Sequence, residues 1–558
     1  TIVVVTEDGK LQLTHMLKEE SLLSDDEGEV SFEIASVGLP DVENIKSLLI
    51  DYGQQYLYVA EQSGYITVID INTKTEPRFI ERKQVVEEGS QINQITFLTG
   101  GISILVASSS GEVSQWFPVR KGENTGLTRI RTFIMDEGGA IRDIETEQRR
   151  KGFVTSNEHG VVAVHHSTAH RTIVSDKFSD YAIPYLAMSP RADHVLAETT
   201  DHNIQFIFVE NEHPEISWAV LWSKIWYESY DHPDYTWQSS SASNDFEPKY
   251  SLMPLAFGTL KAAFYAMLFA VPLAIMGAIY TAYFMAPKMR TYVKPAIEIM
   301  EALPTVILGF LAGLWLAPVI ETHLLGVFAM LIILPVGVLG FALGWQQLPA
   351  HIRGRIPEGW QAALLIPVLF VLGWLAMTLS APMETVLFSG DLKAWLNKHF
   401  GIGYDQRNSL VVGIAMGVAV IPTIFSIAED AIFSVPKHLT FGSLALGATP
   451  WQTMSRVVLL TASPGIFSAV MIGMGRAVGE TMIVLMATGN TPVMDFSIFQ
   501  GMRTLSANIA VEMPESEVDS THYRVLFLAA LVLFIFTFMF NTVAEIVRHR
   551  LRKKYSSL

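Results

Sequence analysis

Residues 251–558 alternate between long apolar stretches and short polar connections. A helix needs about 20 mostly apolar residues to cross a hydrocarbon layer about 30 Å thick. Because backbone groups find no water in that layer, each apolar stretch is predicted to be helical. We therefore predict seven transmembrane helices, at 255–283, 295–316, 322–344, 360–380, 408–432, 466–488 and 524–547. The alternative, a set of buried helices in a large soluble protein, would need all seven runs in one core.

Residues 1–213 show a different pattern, a recurring unit of strand, turn, strand, polar turn and strand. Similar copies begin at Ile45, Ile92, Ile141 and Ile183. The turn position falls at Gly9, Gly64, Gly111, Gly160 and His202, with spacings of 55, 47, 49 and 42 residues. A propeller blade occupies roughly 40–50 residues, so we predict an all-β, β-propeller-like domain of at least five blades, incomplete at its N-terminus. A twisted β-sandwich is the alternative.

The segment 214–250 joins the two regions and is rich in tryptophan. Trp218, Trp222 and Trp226 follow one another at intervals of four residues, which would align three indoles on one helical face. Such rings suit a membrane interface, where the ring is apolar and its N–H stays hydrated. We therefore expect an interfacial aromatic helix, followed by the polar linker SSSASND. The alternative is ordinary packing against the β domain.

Composition separates the two halves further. The chain has 558 residues, a mean hydropathy of +0.32 and 17% charged residues, which excludes a wholly soluble protein. Residues 1–250 hold 39 acidic and 20 basic residues, whereas residues 251–558 hold 16 and 19. No basic tract is large enough for a nucleic-acid partner. The absence of cysteine excludes disulfides and thiolate zinc sites, and the group His165, His166 and His170 is interpreted as a solvated strand end.

The distribution of Lys and Arg predicts the orientation of the helices. With a cytoplasmic C-terminus, the inner segments 285–295, 345–359, 433–465 and 548–558 hold twelve basic residues, and the outer loops 317–323, 381–407 and 489–523 hold four. Seven helices then place residues 1–250 on the extracytoplasmic side. Export of that region needs a signal, yet the chain opens with the strand-like TIVVV. We expect an upstream anchor helix, or cleavage of a longer chain.

The segment 433–465 is long for a connection between helices and is not polar throughout. Apolar and small residues recur at helical spacing around Leu444, Leu446 and Gly447, and Pro436 and Pro464 bracket the stretch. A short amphipathic helix outside the bilayer, with small residues at its bend, is suited to a partner's groove. The alternative is an interfacial helix that caps the bundle.

Two charges fall within the apolar stretch 466–488. Arg476 and Glu480 are four residues apart and would share a helix face. Each charge at mid-membrane costs about 2.5–3.5 kcal/mol, so both must face protein or water. An arginine offers five fixed donors to a tetrahedral oxyanion, and a nearby carboxylate would moderate its affinity. The alternative is a structural ion pair between helices.

Five segments of the C-terminal half carry a family resemblance: GTLKAAFYAMLFAVPLAI (258–275), EALPTVILGF (301–310), SIAEDAIFSVP (426–436), LALGATPWQTMSRVVL (444–459) and GMGRAVGETMIVLMATGN (473–490). In this order and spacing they resemble the PstC-type inner-membrane permease of bacterial phosphate-specific ABC importers. The resemblance covers about 213–558. It implies a type I ABC-importer permease domain at 251–558, in a long form with an extracytoplasmic propeller-like insertion.

The resemblance implies a multi-pass subunit of the bacterial inner membrane that is not an enzyme and has no cofactor of its own. A cytoplasmic ATPase dimer would use the ATP and Mg²⁺, in line with the lack of a P-loop motif in this chain. A second homologous permease, an extracytoplasmic phosphate-binding protein and membrane lipid would be the other partners. Arg476 and Glu480 would lie on the phosphate route. The ATPase would bind residues of the 433–465 loop: Phe441, Gly442, Ser443, Leu446, Gly447, Ala448 and Thr449.

The chain departs from the family pattern in the 433–465 loop. The usual Glu-Ala-Ala opening is replaced by Phe441, Gly442 and Ser443, and the later Leu-Pro is Leu459-Leu460, whereas Gly447 is retained. Two alternative functions remain open on the sequence. One is a permease for another oxyanion, such as phosphonate or sulfate, which an intramembrane arginine does not distinguish. The other is a membrane sensor that uses its propeller, although seven helices exceed what an anchor needs.

Overall fold

The computed structural model describes residues 1–6, 10–18, 30–37, 42, 44–122, 124–135, 138–240, 246–349 and 361–555. The chain divides into two compact units, Thr1–Ser251 and Leu252–Leu558. Three sequence features lie outside the described residues: the turn expected at Gly9, the basic residues Arg353 and Arg355, and most of the linker SSSASND.

The described residues of the N-terminal unit form successive antiparallel sheets. The first sheet has three strands, β1 Ile2–Val5, β2 Leu11–Lys18 and β3 Val30–Val37. The next three have four strands each: β4 Ile45–Ile50, β5 Tyr56–Glu61, β6 Tyr65–Asp70 and β7 Arg78–Gln84; β8 Ile92–Phe97, β9 Ile104–Ser108, β10 Glu112–Lys121 and β11 Asn124–Ile134; β12 Ile141–Thr146, β13 Gly152–Asn157, β14 Val161–His166 and β15 Arg171–Lys177. The fifth has β16 Tyr185–Met188, β17 His194–Glu198 and β18 Ile204–Phe208, and a short pair follows, β19 Trp237–Gln238 and β20 Lys249–Tyr250.

The repeat predicted from the sequence corresponds to these sheets. Gly64, Gly111, Gly160 and His202 all have positive φ and occupy the turn between the second and third strands of their sheets. Apolar clusters join each sheet to the next one along the chain, so the sheets pack in series. The prediction of an all-β unit is confirmed. No closed ring of sheets is seen among the described strands.

Of the histidine group in the N-terminal unit, His170 is exposed beyond the end of β14, as expected of a solvated strand end, but the other two histidines are not. His165 and His166 are both 1% exposed, because β14 is an inner strand of its sheet. The His165 ring nitrogens lie 2.9 Å from Thr155 Oγ1 and 3.0 Å from Thr172 Oγ1. Burial lowers the pKa of both imidazoles to about 3. These rings are therefore neutral parts of the core.

The expected face of three tryptophans is also wrong. Helix α1 spans Trp218–Trp222 and is capped by Ser217, whose hydroxyl accepts from Val220 N. The chain then becomes extended and Ile225 pairs with Asp234. Trp226 donates its indole N–H to the Tyr230 carbonyl at 2.8 Å and packs edge-on against Phe117 of β10. Trp226 thus belongs to the β unit, whereas Trp218 is 78% exposed.

The described residues of the C-terminal unit form helices, most of them joined by short connections, with a longer non-helical connection at 488–504. These helices are α2 Met253–Ile279, α3 Pro287–Glu301, α4 Thr305–Leu311, α5 Ala317–Thr322, α6 Leu324–Gln347, α7 Gln361–Thr378, α8 Ser380–Leu387, α9 Leu392–Phe400, α10 Ser409–Phe433, α11 Lys437–Ala445, α12 Pro450–Thr453, α13 Leu459–Gly479, α14 Met482–Ala487, α15 Leu505–Glu512 and α16 Thr521–Tyr555. Turns of π-helix occur at Tyr280–Phe284, Ala312–Leu316 and Met454–Val458, and a 3₁₀ turn at Met513–Glu515.

Among the described residues, six helical spans are long and apolar enough to cross a membrane, or seven if a bent pair forms one span. The six are Met253–Phe284, Thr305–Thr322, Leu324–Gln347, Ser409–Phe433, Pro450–Gly479 and Thr521–Arg550, and the bent pair is Ala363–Thr378 with Ser380–Phe400. Six to seven spans agree with the predicted polytopic unit.

Two predicted spans have other bounds in the structure. The span expected at 295–316 is Thr305–Thr322, because α3 is a separate helix of mixed polarity and Pro304 is extended. The span expected at 466–488 is Pro450–Gly479, so it begins within the segment 433–465 and ends where Glu480 leaves the helical conformation with ψ 128°. Both breaks lie beside residues with low helix propensity, a proline and a glycine. The second break determines the geometry of the candidate site.

Candidate functional site

Arg476 lies in the last turn of α13 and binds two side chains from other helices. Its Nη1 donates to Glu301 Oε1 at 2.9 Å and to Thr423 Oγ1 at 2.6 Å. The Thr423 hydroxyl in turn donates to the same Glu301 oxygen at 2.8 Å. The three groups form a closed hydrogen-bonded set, with one charge of each sign.

Each member of this set comes from a different helix. Glu301 is the last residue of α3, Thr423 follows Pro422 in the middle of α10, and Arg476 comes from α13. A glycine allows α13 to approach α10 closely, because a Cβ on Gly473 would lie 2.5 Å from Ile424 Cγ1. The site is therefore tertiary, and it depends on how three helices pack.

Neither charged side chain of the set is buried within this chain. The side chain of Arg476 is 29% exposed and that of Glu301 is 42% exposed. A guanidinium has five N–H donors, and those that Arg476 does not use on Glu301 and Thr423 can bind an oxyanion. Charge and shape therefore suit reversible anion binding.

Glu480 takes a different position from the one expected. Because α13 ends at Gly479, Glu480 is not one helical turn above Arg476. Its Oε1 accepts from the backbone N–H of Met482 at 3.1 Å and of Ile483 at 3.3 Å, and its carbonyl accepts from Ser506 Oγ at 2.9 Å. Among the described ion pairs, Arg476 is joined to Glu301 and not to Glu480. The expectation that Glu480 holds the guanidinium is wrong.

The 433–465 segment contains the predicted short helix. Helix α11 ends at Ala445 with Leu446 as its C-cap, and Gly447 has φ +89°. The next helix, α12, begins with a capping box in which Thr449 and Gln452 bind each other's backbone N–H groups. Ser443 Oγ lies 2.9 Å from Thr453 Oγ1 and ties the two helices together. The bend is therefore a defined turn that needs a residue free to adopt positive φ.

Large apolar side chains on this bend face outwards. Leu446 is 91% exposed, Trp451 65% and Phe441 63%. A Cβ placed on Gly442 or on Gly447 would meet no atom within 4 Å, so the surface around them is open. Contiguous exposed apolar groups commonly mark a protein or membrane interaction site.

The sequence analysis missed two members of the Arg476 set. Glu301 opens the segment EALPTVILGF, which carried part of the family resemblance, but its charge was not weighed separately. Thr423 sits in an apolar helix, where a hydroxyl usually bonds to its own backbone. A carboxylate beside a predicted membrane boundary was the available signal for Glu301. Thr423 had no comparable signal.

Family comparison agrees with this architecture. The profile of the family described as "Binding-protein-dependent transport system inner membrane component" matches residues 270–556, which is half of the chain and includes Glu301, Thr423 and Arg476. The chain belongs to this family. Members are non-catalytic, multi-pass permease subunits of the inner membrane, and they work with an ATPase and a binding protein in ABC transporters. The predicted transport class is thereby confirmed.

Individual relatives are distant. The probable ABC transporter permease protein YqgH of Bacillus subtilis (strain 168) is 29% identical over 297 residues, which cover 53% of this chain and 71% of YqgH. The phosphate transport system permease protein PstC of Xylella fastidiosa (strain Temecula1) is 27% identical over 316 residues, 56% of this chain and 79% of PstC. The PstC of Pasteurella multocida (strain Pm70) is 26% identical over 314 residues, with the same two coverages.

Proposed function

We propose that this permease subunit imports phosphate, and that the Arg476 set lies on the translocation route. The observation that carries the proposal is the partly exposed guanidinium of Arg476 among membrane-spanning helices, held by Glu301 and Thr423. Several relatives in the family are phosphate permeases by name, which favours phosphate over another oxyanion. The carboxylate partner limits the affinity of the guanidinium, so that a bound anion can also leave.

We propose that Glu480 also contributes to this route, by stabilising the backbone break after α13. It lies at the break between α13 and α14, where its carboxylate binds two N–H groups of α14. The break leaves Arg476 in the final turn of α13, where a positive charge is favoured by the helix dipole. Glu480 would therefore maintain the orientation of the end of α13 rather than pair with the guanidinium.

The exposed bend formed by Phe441, Gly442, Ser443, Leu446, Gly447, Ala448 and Thr449 is proposed to bind the ATPase. Its open apolar surface fits a groove in a soluble partner, and its turn presents Leu446 fully. A second homologous permease, an ATPase dimer and an extracytoplasmic phosphate-binding protein would complete the importer. For this we take the C-terminus to be cytoplasmic and residues 1–250 extracytoplasmic, on the count of basic residues in the loops.

The N-terminal sheets are proposed to be part of a propeller-like domain at 1–213, joined through 214–250 to the permease domain at 251–558. Serial packing of repeated antiparallel sheets supports the proposal. Trp218 is the one member of the tryptophan group whose exposed indole suits contact with lipid.

Uptake of radiolabelled phosphate tests the proposed function. The chain and its partners would be expressed in cells that lack their own phosphate uptake. Arg476→Ala is expected to abolish uptake at unchanged membrane abundance, because alanine removes all five donors. Arg476→Lys should retain a part, since the charge stays and the fork geometry is lost.

Competition experiments identify the substrate. Excess unlabelled phosphate should suppress the labelled uptake, whereas excess sulfate or methylphosphonate should not. Undiminished uptake by Arg476→Ala would remove the arginine from the route. Suppression by sulfate would assign the permease to another oxyanion.

A further inference from the structure

Helix α3 connects the Arg476 set to the cytoplasmic segment proposed to bind the ATPase. It has 15 residues, about 22 Å of helix at 1.5 Å per residue. Its last residue, Glu301, binds Arg476, and its first turns lie against the end of α10, directly before the 433–465 segment. The same short helix thus contacts both the Arg476 set and the end of α10 next to the segment proposed to bind the ATPase.

The contacts between α3 and α10 form a polar ladder. Arg290, Lys294, Glu298 and Glu301 recur every three or four residues and share one face of α3. Thr423, Ser426, Asp430 and Phe433 recur in the same way on α10. The two series run in opposite directions, so each residue of one helix meets a residue of the other. We call these contacts the α3–α10 ladder.

The part of the ladder nearest the 433–465 segment is ionic. Lys294 Nζ lies 2.9 Å from Glu429 Oε2 and 2.6 Å from Asp430 Oδ1, and Arg290 also pairs with Glu429. The Arg290 guanidinium stacks 3.6 Å from the ring centroid of Phe433, the last residue of α10. Glu429 is fully buried. Arg290 and Lys294 therefore pair a carboxylate that would otherwise be buried without a partner.

The part of the ladder nearest Arg476 consists of hydroxyl–carboxylate hydrogen bonds. Ser426 Oγ donates to Glu298 Oε1 at 3.4 Å, and Thr423 Oγ1 donates to Glu301 Oε1 at 2.8 Å. None of the fifteen residues of α3 is fully buried. Ile297 is the one residue of α3 that packs, partly buried, against the apolar core of the described unit, so the attachment of α3 to α10 depends largely on the ladder.

We propose that α3 and the C-terminal half of α10 move as one rigid arm, which carries motion of the 433–465 segment to the Glu301–Arg476 pair. Arg290, Lys294 and Glu298 are then positioning residues, which act on the substrate through Glu301. The inference rests on the proposed transport function for its purpose. Its physical content, that the ladder stays closed as the complex binds ATP, stands apart from the identity of the substrate.

Distance measurement tests the rigid arm directly. The chain has no cysteine, so two spin labels can be attached through Tyr292→Cys on α3, a site 74% exposed in the native chain, and Ser434→Cys after α10. In the complex purified with its ATPase, the distance between the labels should be the same without nucleotide and with ATP trapped. Lys294→Met should broaden the distances in both states, and Lys294→Arg should not. A distance that changes with ATP in the otherwise native chain would overturn the proposal.

Coupling provides the second readout. In proteoliposomes, Lys294→Met should retain ATP hydrolysis while the phosphate imported per ATP falls at least about tenfold, because a buried carboxylate loses a partner. Lys294→Arg should restore the ratio. If hydrolysis and transport fall together, or the ratio is unchanged, the ladder is a structural brace and the proposal is wrong. If the unsubstituted complex imports no phosphate, the proposal that phosphate is the substrate is wrong, but the distances between the labels still test the rigid arm.

Discussion

Replacement of Glu301 by glutamine separates the charge of the Arg476 set from its hydrogen bonds. The side-chain carbonyl oxygen of the introduced glutamine can still accept from Arg476 Nη1 and from Thr423 Oγ1, as Glu301 Oε1 does now. The negative charge beside the guanidinium is lost. Because Arg476 then has no counter-charge, it should bind an anion more tightly and release it more slowly.

The magnitude follows from the geometry. Glu301 Oε1 is 2.9 Å from Nη1, so an anion on the far side of the guanidinium lies at about 7 Å from the carboxylate, where two unit charges repel by about 2.4 kcal/mol at an effective dielectric of 20. The same pair in bulk water repels by about 0.6 kcal/mol. The partial exposure of Glu301 puts the site between these limits, so the KM for phosphate should fall by about 3-fold to about 50-fold.

Initial rates of labelled phosphate uptake over a range of concentrations measure both parameters. Glu301→Gln should lower KM and kcat together, since release becomes slower. Glu545→Gln is the matched control, because Glu545 also pairs with an arginine, Arg548 at 2.8 Å, but lies on α16. A raised KM, or an unchanged KM and kcat at equal membrane abundance, would refute the reasoning that Glu301 faces the anion.

Three further substitutions follow from the structure. Gly447→Ala should reduce transport-linked ATP hydrolysis, since alanine disfavours the φ of +89° at the bend. Gly401→Ala is the control, because Gly401 has φ +66° but lies outside the 433–465 segment; it should cause similar backbone strain without a loss of coupling. Gly473→Ala should destabilise the detergent-solubilised protein by roughly 1–3 kcal/mol against Ile424, whereas Gly479→Ala meets open space and should not shift the melting temperature. Burial raises the pKa of Glu247 from 4.5 to about 7. Between these pH values the folded protein binds a proton that the unfolded chain does not, so the free energy of unfolding falls as the pH rises. The Glu247→Gln variant should therefore melt at the same temperature as the parent at pH ~5 and a few degrees higher at pH ~8.

The sequence predicted those parts of the fold that follow from regular patterns. Apolar length gave the spans, because the bilayer sets one thickness for all of them. The repeated turns gave the sheets, since Gly64, Gly111 and Gly160 adopt the positive φ that their spacing implied. His165 and His166 were misjudged, because burial of β14 depends on strands on both sides of it and not on its own composition.

Of the three residues of the candidate site, the sequence analysis predicted one. Arg476 was visible because a charge in an apolar stretch is costly and therefore informative. Its partner Glu301 is 175 positions away, and no local periodicity connects the two. Glu480 was assigned instead because the i, i+4 rule assumes a continuous helix, and the helix ends at Gly479.

The difference between the expected pair and the observed pair has a mechanical consequence. Two residues on one helix keep their backbone separation when that helix moves as a rigid body, so a helix movement alone would not open a pair of Arg476 with Glu480. A pair between α3 and α13 changes its separation whenever these helices shift relative to each other. Since opening the Glu301–Arg476 pair frees donors for an anion, the position of α3 can determine when Arg476 is available. The helix break at Glu480 thus converts a fixed ion pair into one that a change of conformation can open and close.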